Sequence, residues 1–195
     1  MGKSNLSRKQ TGSPCETGAA GLRYTAMLYF DIRSLEAHAE QVDGWLEMAD
    51  PVWEDGDARP VQAGVHVTGR LSSAGQGRFY FSGLLEGTAV TECRRCLGEA
   101  TVQVAEDVHL IFADSGTDEA DEDDVVLIPA GERELDLRPA IREEWLLAVP
   151  AFAVCRTECK GLCPTCGVDR NTGDCTCSPT LDPRWDGLRE ARRSD

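Results

Sequence analysis

The stretch RFYFSGLLEGTAVTECRRCLGEATVQVAEDVHLIF, Arg78 to Phe112, decides how this chain folds. Its first part reads as a strand running to Glu92. Its last part places Val102 and Val104, then Val108, Leu110 and Phe112, at a spacing of two. A period of two sends successive side chains to opposite faces of a sheet. Cys93 to Glu99 between the two parts implies a turn, so ECRRCLGE sits at the tip of an antiparallel hairpin.

Outward from this hairpin the pattern continues. Upstream, VHVTGRL alternates Val65 and Val67 with His66, Thr68 and Arg70, and the glycine-bearing turn SSAGQG joins it to Arg78. The result is an antiparallel meander. Further upstream, MLYFDIRSL reads as a strand, with Ser34 capping a short helical turn, and EMADPVWEDGDARP is a polar surface loop. Downstream, VVLIP and ELDL are short strand candidates. LDLRPAIREEWLLAVP then predicts a helix with Asp136 as its cap, Pro139 in its first turn and Pro150 closing it. Ile141, Trp145 and Ala148 form its apolar stripe, which makes Trp145 a core residue.

The expected fold class is therefore α+β: an antiparallel sheet, as a meander or partly open barrel, with one main helix and a cysteine-rich C-terminal segment. Residues 1–22 read as a flexible polar tail, 23–154 as the α+β core with an acidic loop at 114–124, and 155–195 as a metal-binding segment and tail. There are no internal repeats.

The chain has 195 residues, 41% of them hydrophobic, which is ordinary for a globular protein. No run approaches the ~20 apolar residues of a membrane helix, and the N-terminus lacks the apolar stretch of a signal peptide. Both features place the protein in the cytoplasm, away from membranes. The net charge is −14, and DSGTDEADEDD (Asp114 to Asp124) supplies seven acidic residues and no basic one. Such a block is either a solvated, self-repelling loop or an acidic arm that holds a basic partner or mimics nucleic acid. The remaining charge is acidic too, so there is no broad basic footprint for nucleic acid.

In the cytosol, clustered thiols are metal ligands or catalytic groups more often than disulfides. Of nine cysteines, Cys15 stands alone in the polar tail and eight are grouped. In Cys163-Pro164-Thr165-Cys166-Gly167, two thiolates three positions apart grip one ion if the chain turns tightly between them. Pro164 presets a turn angle, and Gly167 accepts the positive φ that aims backbone N–H groups at sulfur. This is a zinc knuckle, and zinc takes four such ligands at ~2.3 Å in a tetrahedron. Cys175 and Cys177 supply a second pair after the turn Asn171-Thr172-Gly173.

Cys93 and Cys96 form another knuckle, and Cys155 and Cys159 complete the count. The favoured partition is Cys93, Cys96, Cys155 and Cys159 in one site, with Cys163, Cys166, Cys175 and Cys177 in the other. The first staples the C-terminal segment to the sheet and the second folds the segment itself. A site built from Cys155, Cys159, Cys163 and Cys166 also satisfies the spacing. With four ligands filled, two zinc ions would be structural, leaving no position open for water.

Rival chemistries fit less well. Cys159, Cys163 and Cys166 have the spacing of radical-SAM iron–sulfur enzymes, but those place it early in a long barrel, and here about thirty residues follow. A thioredoxin-like pair needs a βαβ setting and a lone reactive pair, whereas both pairs here have other thiols with which to share a metal. His66 and His109 fall in strand-like runs as ordinary sheet residues, and His38 is the third histidine. There is no phosphate-cradling glycine loop, nucleophile elbow or HExxH. A non-enzymatic protein with no small-molecule substrate is expected.

Arg94, Arg95, Arg156 and Lys160 lie within or beside the ligand pairs. They either offset thiolate charge and donate to sulfur or face phosphate.

ECRRCLGEA, the acidic loop, LDLRPAIREEWLLAVP, CRTECKGLCPTCG and LDPRWDGLRE resemble, in that order, the YceD family of large ribosomal RNA subunit accumulation proteins. The resemblance runs from Phe30 to Leu188 and is most specific in CxRC, CxxxCxGLCPxCG and DPRW. Family cysteine positions fall on Cys93, Cys96, Cys155, Cys159, Cys163 and Cys166. Some members carry His at the positions of Cys175 and Cys177, and others lack the last four ligands. The resemblance implies a non-enzymatic role in ribosome biogenesis, supporting 23S rRNA accumulation and 50S assembly. The partner expected from it is a large-subunit precursor, through its rRNA or its ribosomal proteins, or one basic ribosomal protein alone. Candidate RNA or partner contacts are Arg94, Arg95, Arg156, Lys160, Arg170, Arg184 and Trp185.

Overall fold

The computed structural model describes residues 28–115, 124–178 and 183–192. The expected N-terminal tail with Cys15, and most of the acidic loop, lie outside the described residues.

The described residues open with β1 (Tyr29–Asp31) and a short helix α1 (Ile32–Ala37). Asp31, not Ser34, caps this helix: its carboxylate accepts from the Ser34 N–H at 2.9 Å. The strands β2 (Glu40–Leu46), β3 (Val65–Gly75), β4 (Arg78–Glu92), β5 (Glu99–Asp114) and β6 (Val125–Ile128) follow. They form one five-stranded sheet in sequence order. β2 to β5 are a continuous antiparallel meander, while β6 joins β5 in parallel. Among the described residues the sheet stays open at β2 and β6 and closes no barrel. A separate ribbon pairs β1 with β7 (Glu134–Asp136).

Alternation along the strands sorts the core. Val65, Val67 and Leu71 of β3, Phe79, Phe81 and Leu85 of β4, and Val108, Leu110 and Phe112 of β5 are all buried. His66, Tyr80 and His109 take the outer face, where His66 stacks on Trp45 with ring centroids 4.5 Å apart and Tyr80 pairs with His109.

The main helix α2 (Arg138–Ala148) packs Ala140, Ile141 and Trp145 into this core. Pro139 stands in its first turn, as expected. Asp136 lies one position before the cap residue, Leu137, and still accepts from the Arg138 N–H at 2.9 Å. Trp145 is fully buried, and its indole N–H donates to the Ala58 carbonyl at 2.8 Å, which satisfies the one polar atom it brings inside. Arg142 holds Asp57 at 2.8 Å and Arg138 holds Asp50 at 3.1 Å, tying the 47–60 loop to the helix.

The hairpin β4–β5 positions the site. Its fifteen matched pairs run from Arg78↔Ala113 to Glu92↔Glu99, so Cys93 and Cys96 are carried on a long rigid two-stranded arm.

Candidate metal centre

At the tip of this arm the chain folds into a knuckle. The Leu97 N–H donates to the Cys93 carbonyl at 2.9 Å, and the Cys93 N–H donates to the Gly98 carbonyl at 2.7 Å. The second knuckle repeats this geometry: Gly167 donates to the Cys163 carbonyl at 2.9 Å, and Cys163 donates to the Val168 carbonyl at 2.8 Å. The fourth residue after the first cysteine is left-handed in both, Leu97 at φ +59° and Gly167 at φ +75°.

The sulfurs of Cys93, Cys96, Cys155 and Cys159 all lie within 4.8 Å of one another, as do those of Cys163, Cys166, Cys175 and Cys177. The structure thus groups the cysteines as the favoured partition expects, and sets aside the grouping of Cys155 and Cys159 with Cys163 and Cys166. Cys93 and Cys159 are 3.9 Å apart, Cys96 and Cys155 3.8 Å. A tetrahedron with metal–sulfur bonds of ~2.3 Å has edges of ~3.8 Å, so the first quartet matches the donor set of a thiolate-bound metal ion. It is also the drier one: Cys93 and Cys159 are buried, whereas Cys166 and Cys177 of the second are exposed.

Electrostatics within each group also calls for a cation. The Cys155 N–H, aimed at the Cys93 sulfur, chiefly holds that thiol down to about 6. Burial and the neighbouring sulfurs push Cys155 up to about 12. In the second group, the Cys166 and Thr165 N–H groups bring Cys163 to about 6, while the Cys166 sulfur drives Cys177 up to about 12. Four thiolates this close cannot all ionise unaided, and a bound dication removes the conflict.

The C-terminal segment is latched to the hairpin by more than sulfur. Cys93, Ala100, Ala153 and Cys159 pack as a small buried cluster. The Arg94 N–H donates to the Ala153 carbonyl and the Leu162 N–H to the Arg95 carbonyl. The Arg94 guanidinium donates to the Ala151 carbonyl at 2.6 Å and lies over the Phe152 ring. Arg95 donates to the carbonyls of both Thr157 and Cys159. Both arginines therefore reach backbone oxygens of the latched segment, where sequence reasoning offered them sulfur or phosphate.

Arg156, Lys160 and Arg170 are exposed beside the two quartets. Arg184 and Trp185 stand on the 3-10 turn Pro183–Trp185 ahead of α3 (Asp186–Ala191), with Trp185 exposed. Leu97, Leu147 and Phe152 are exposed apolar residues on the hairpin tip, the end of α2 and the latch.

Sequence reasoning missed Asn171. Its side-chain amide donates to the Cys159 sulfur at 3.5 Å, and its oxygen accepts from the Lys160 N–H at 2.9 Å. Only the pattern Asp169-x-Asn171 hinted at more than a turn, since Asp169 fixes Asn171 through both its backbone and side-chain nitrogens.

The fold and site define an α+β protein whose cysteine quartets, one clamping a sheet hairpin to the C-terminal segment, can each hold a metal ion. Residues 81–190, more than half of the chain, match the family described as large ribosomal RNA subunit accumulation protein YceD, and the chain belongs to that family. It is 37% identical over 123 residues to uncharacterized proteins of Mycobacterium tuberculosis and Mycobacterium bovis, covering 62% of this chain and 58% of each relative. It is 29% identical over 181 residues to the chloroplastic large ribosomal RNA subunit accumulation protein YCED homolog 1 of Zea mays, covering 76% of this chain and 59% of the relative. The chain thus spans about three-fifths of the length of these curated relatives. No solved structure matches it.

Proposed function

We propose that this protein is a non-enzymatic, cytoplasmic ribosome biogenesis factor that supports 23S rRNA accumulation and 50S assembly by binding the precursor particle. Family membership connects the chain to large-subunit rRNA, and the Zea mays relative carries the same description. One observation carries the reading to a site: the first quartet joins a hairpin tip to a segment 59 or more residues downstream, building one surface from distant parts. In this reading zinc fills both quartets, because four thiolates at tetrahedral separations suit it and leave no open position for chemistry. The partner contacts are Arg156, Lys160, Arg170, Arg184 and Trp185 around that surface, with Arg94 and Arg95 holding it in shape.

Sedimentation of lysate through a gradient at low salt tests the proposal. The protein should travel with the large subunit or its precursors, and in-cell crosslinking should recover 23S rRNA or large-subunit proteins. Residence only at the top of the gradient would count against it. The charge of −14 favours a second reading, an adaptor or chaperone for one basic ribosomal protein without RNA contact. Crosslinks to protein alone would select it.

A further inference from the structure

We infer that the unpaired edge of β5 is a docking site for an extended, lysine- and arginine-rich segment of a basic protein, which adds a strand to the sheet. β4 pairs with β5 from Glu99 to Ala113, but β6 covers only Ile111 to Asp114 on its other side. Among the described residues, no backbone hydrogen bond reaches residues 99–109 from that side. In an antiparallel pair, alternate residues turn both N–H and C=O away from the partner strand. A long row of such groups is a template for another strand unless something covers it.

The chemistry of this edge selects its occupant. Residues 99–109 carry Glu99, Glu106 and Asp107 and no lysine or arginine. Where this edge meets β6, a groove is lined by His109, Ile111, Asp124, Val125, Glu143 and Glu144. The nearest cations of α2 are engaged elsewhere, Arg138 with Asp50 and Asp136, and Arg142 with Asp57 and Glu54. A second copy would bring the same acidic edge and be repelled, and so would a phosphate backbone. A basic strand gains main-chain hydrogen bonds from β5 and charge pairing from both walls. The inference does not depend on the metal centre, whose latch packs on Ala100 and Val102 at the end of the strand away from this groove.

The test uses the full chain and a peptide of ~10 residues alternating arginine and valine, read by amide hydrogen exchange. Exchange within residues 99–109 should slow about tenfold on binding. The same peptide N-methylated at every residue, which keeps its charge but has no amide N–H left on either strand edge, should bind about tenfold more weakly. The double variant Glu106→Lys, Glu144→Lys should lose affinity by a similar factor. The N-methyl comparison needs no variant, so misfolding cannot decide the outcome. Equal binding of both peptides, protection outside the edge, or no binding at millimolar peptide overturns the inference. So does stronger protection of these amides by oligouridine, or a dimer of the free chain built on them.

Discussion

The Asn171 side chain donates to the Cys159 sulfur at 3.5 Å, although Asn171 lies in the loop between the ligand pairs of the second quartet and Cys159 belongs to the first. The two clamps are therefore joined by one side chain. Hydrogen bonds to a coordinating sulfur orient it and moderate its charge, and losing such a partner typically lowers metal affinity about 10–100-fold. Asn171→Ala should accordingly speed metal loss from the first quartet, measured by competition with a coloured chelator. It should leave the sulfurs of the second quartet intact. Release kinetics equal to wild type would mean that the contact only shapes the loop.

Metal content and stability should separate the two quartets. The purified chain should hold two zinc ions, and Cys93→Ser or Cys177→Ser should each hold one. Cys93 and Cys159 are buried in the latch, so losing the first ion frees the segment from the hairpin. We expect a cost of about 3–5 kcal/mol, or roughly 10 °C in melting temperature. Cys177 is exposed, and its replacement should open only the local loop, visible as proteolysis after residue 166 with little change in melting. Mass spectrometry of bound metal alongside calorimetry reads both.

Two left-handed positions near the hairpin predict opposite signs. Gly161, at φ +69°, lies so close to Arg95 that a Cβ would sit 2.7 Å from the Arg95 carbonyl oxygen. Gly161→Ala should cost about 1–3 kcal/mol and loosen the latch. Leu97 already adopts φ +59° and exposes 56% of its surface. Leu97→Gly relieves that backbone conformation and should raise stability by about 0.5–1 kcal/mol in urea titration. If it destabilises instead, the leucine side chain contributes packing that outweighs the strain.

The long strands were legible because β3, β4 and β5 alternate cleanly over many residues, and the knuckles because their spacing has one mechanical reading. β2 was not legible. Its inward residues are Val42, Gly44 and Leu46 while Trp45 points outward, so apolar and polar do not alternate. The parallel direction of β6 left no trace in four residues. Spacing alone allowed two cysteine partitions. The hairpin's reach across the chain decides between them, and that reach is a tertiary fact. Arg94 and Arg95 could not be assigned either, because their carbonyl partners lie some 60 residues downstream.

Acid should act on this fold in two opposed steps. Hydrogen bonding from Arg142, and then from the Glu54 N–H, holds the Asp57 carboxyl below its ordinary 3.8. Folded Asp57 thus binds a proton less tightly than unfolded Asp57. Its stabilisation is complete above the ordinary value and fades as pH falls through the lowered one. Glu144 behaves in reverse: burial first, then Glu143 and Glu106, raises it above 4.5. Its protonation favours the folded chain as pH falls through the raised value, and the gain is complete below 4.5. In a variant with the eight grouped cysteines changed to serine, where neither thiolates nor bound metal titrate, urea midpoints from about pH 7 to about pH 3 should therefore rise slightly and then fall. Glu144→Gln should abolish the rise while keeping the fall, and Asp57→Asn should lower the neutral-pH midpoint and flatten the fall. An unchanged rise in Glu144→Gln would show that the acidic wall beside β5 is already relieved by solvent.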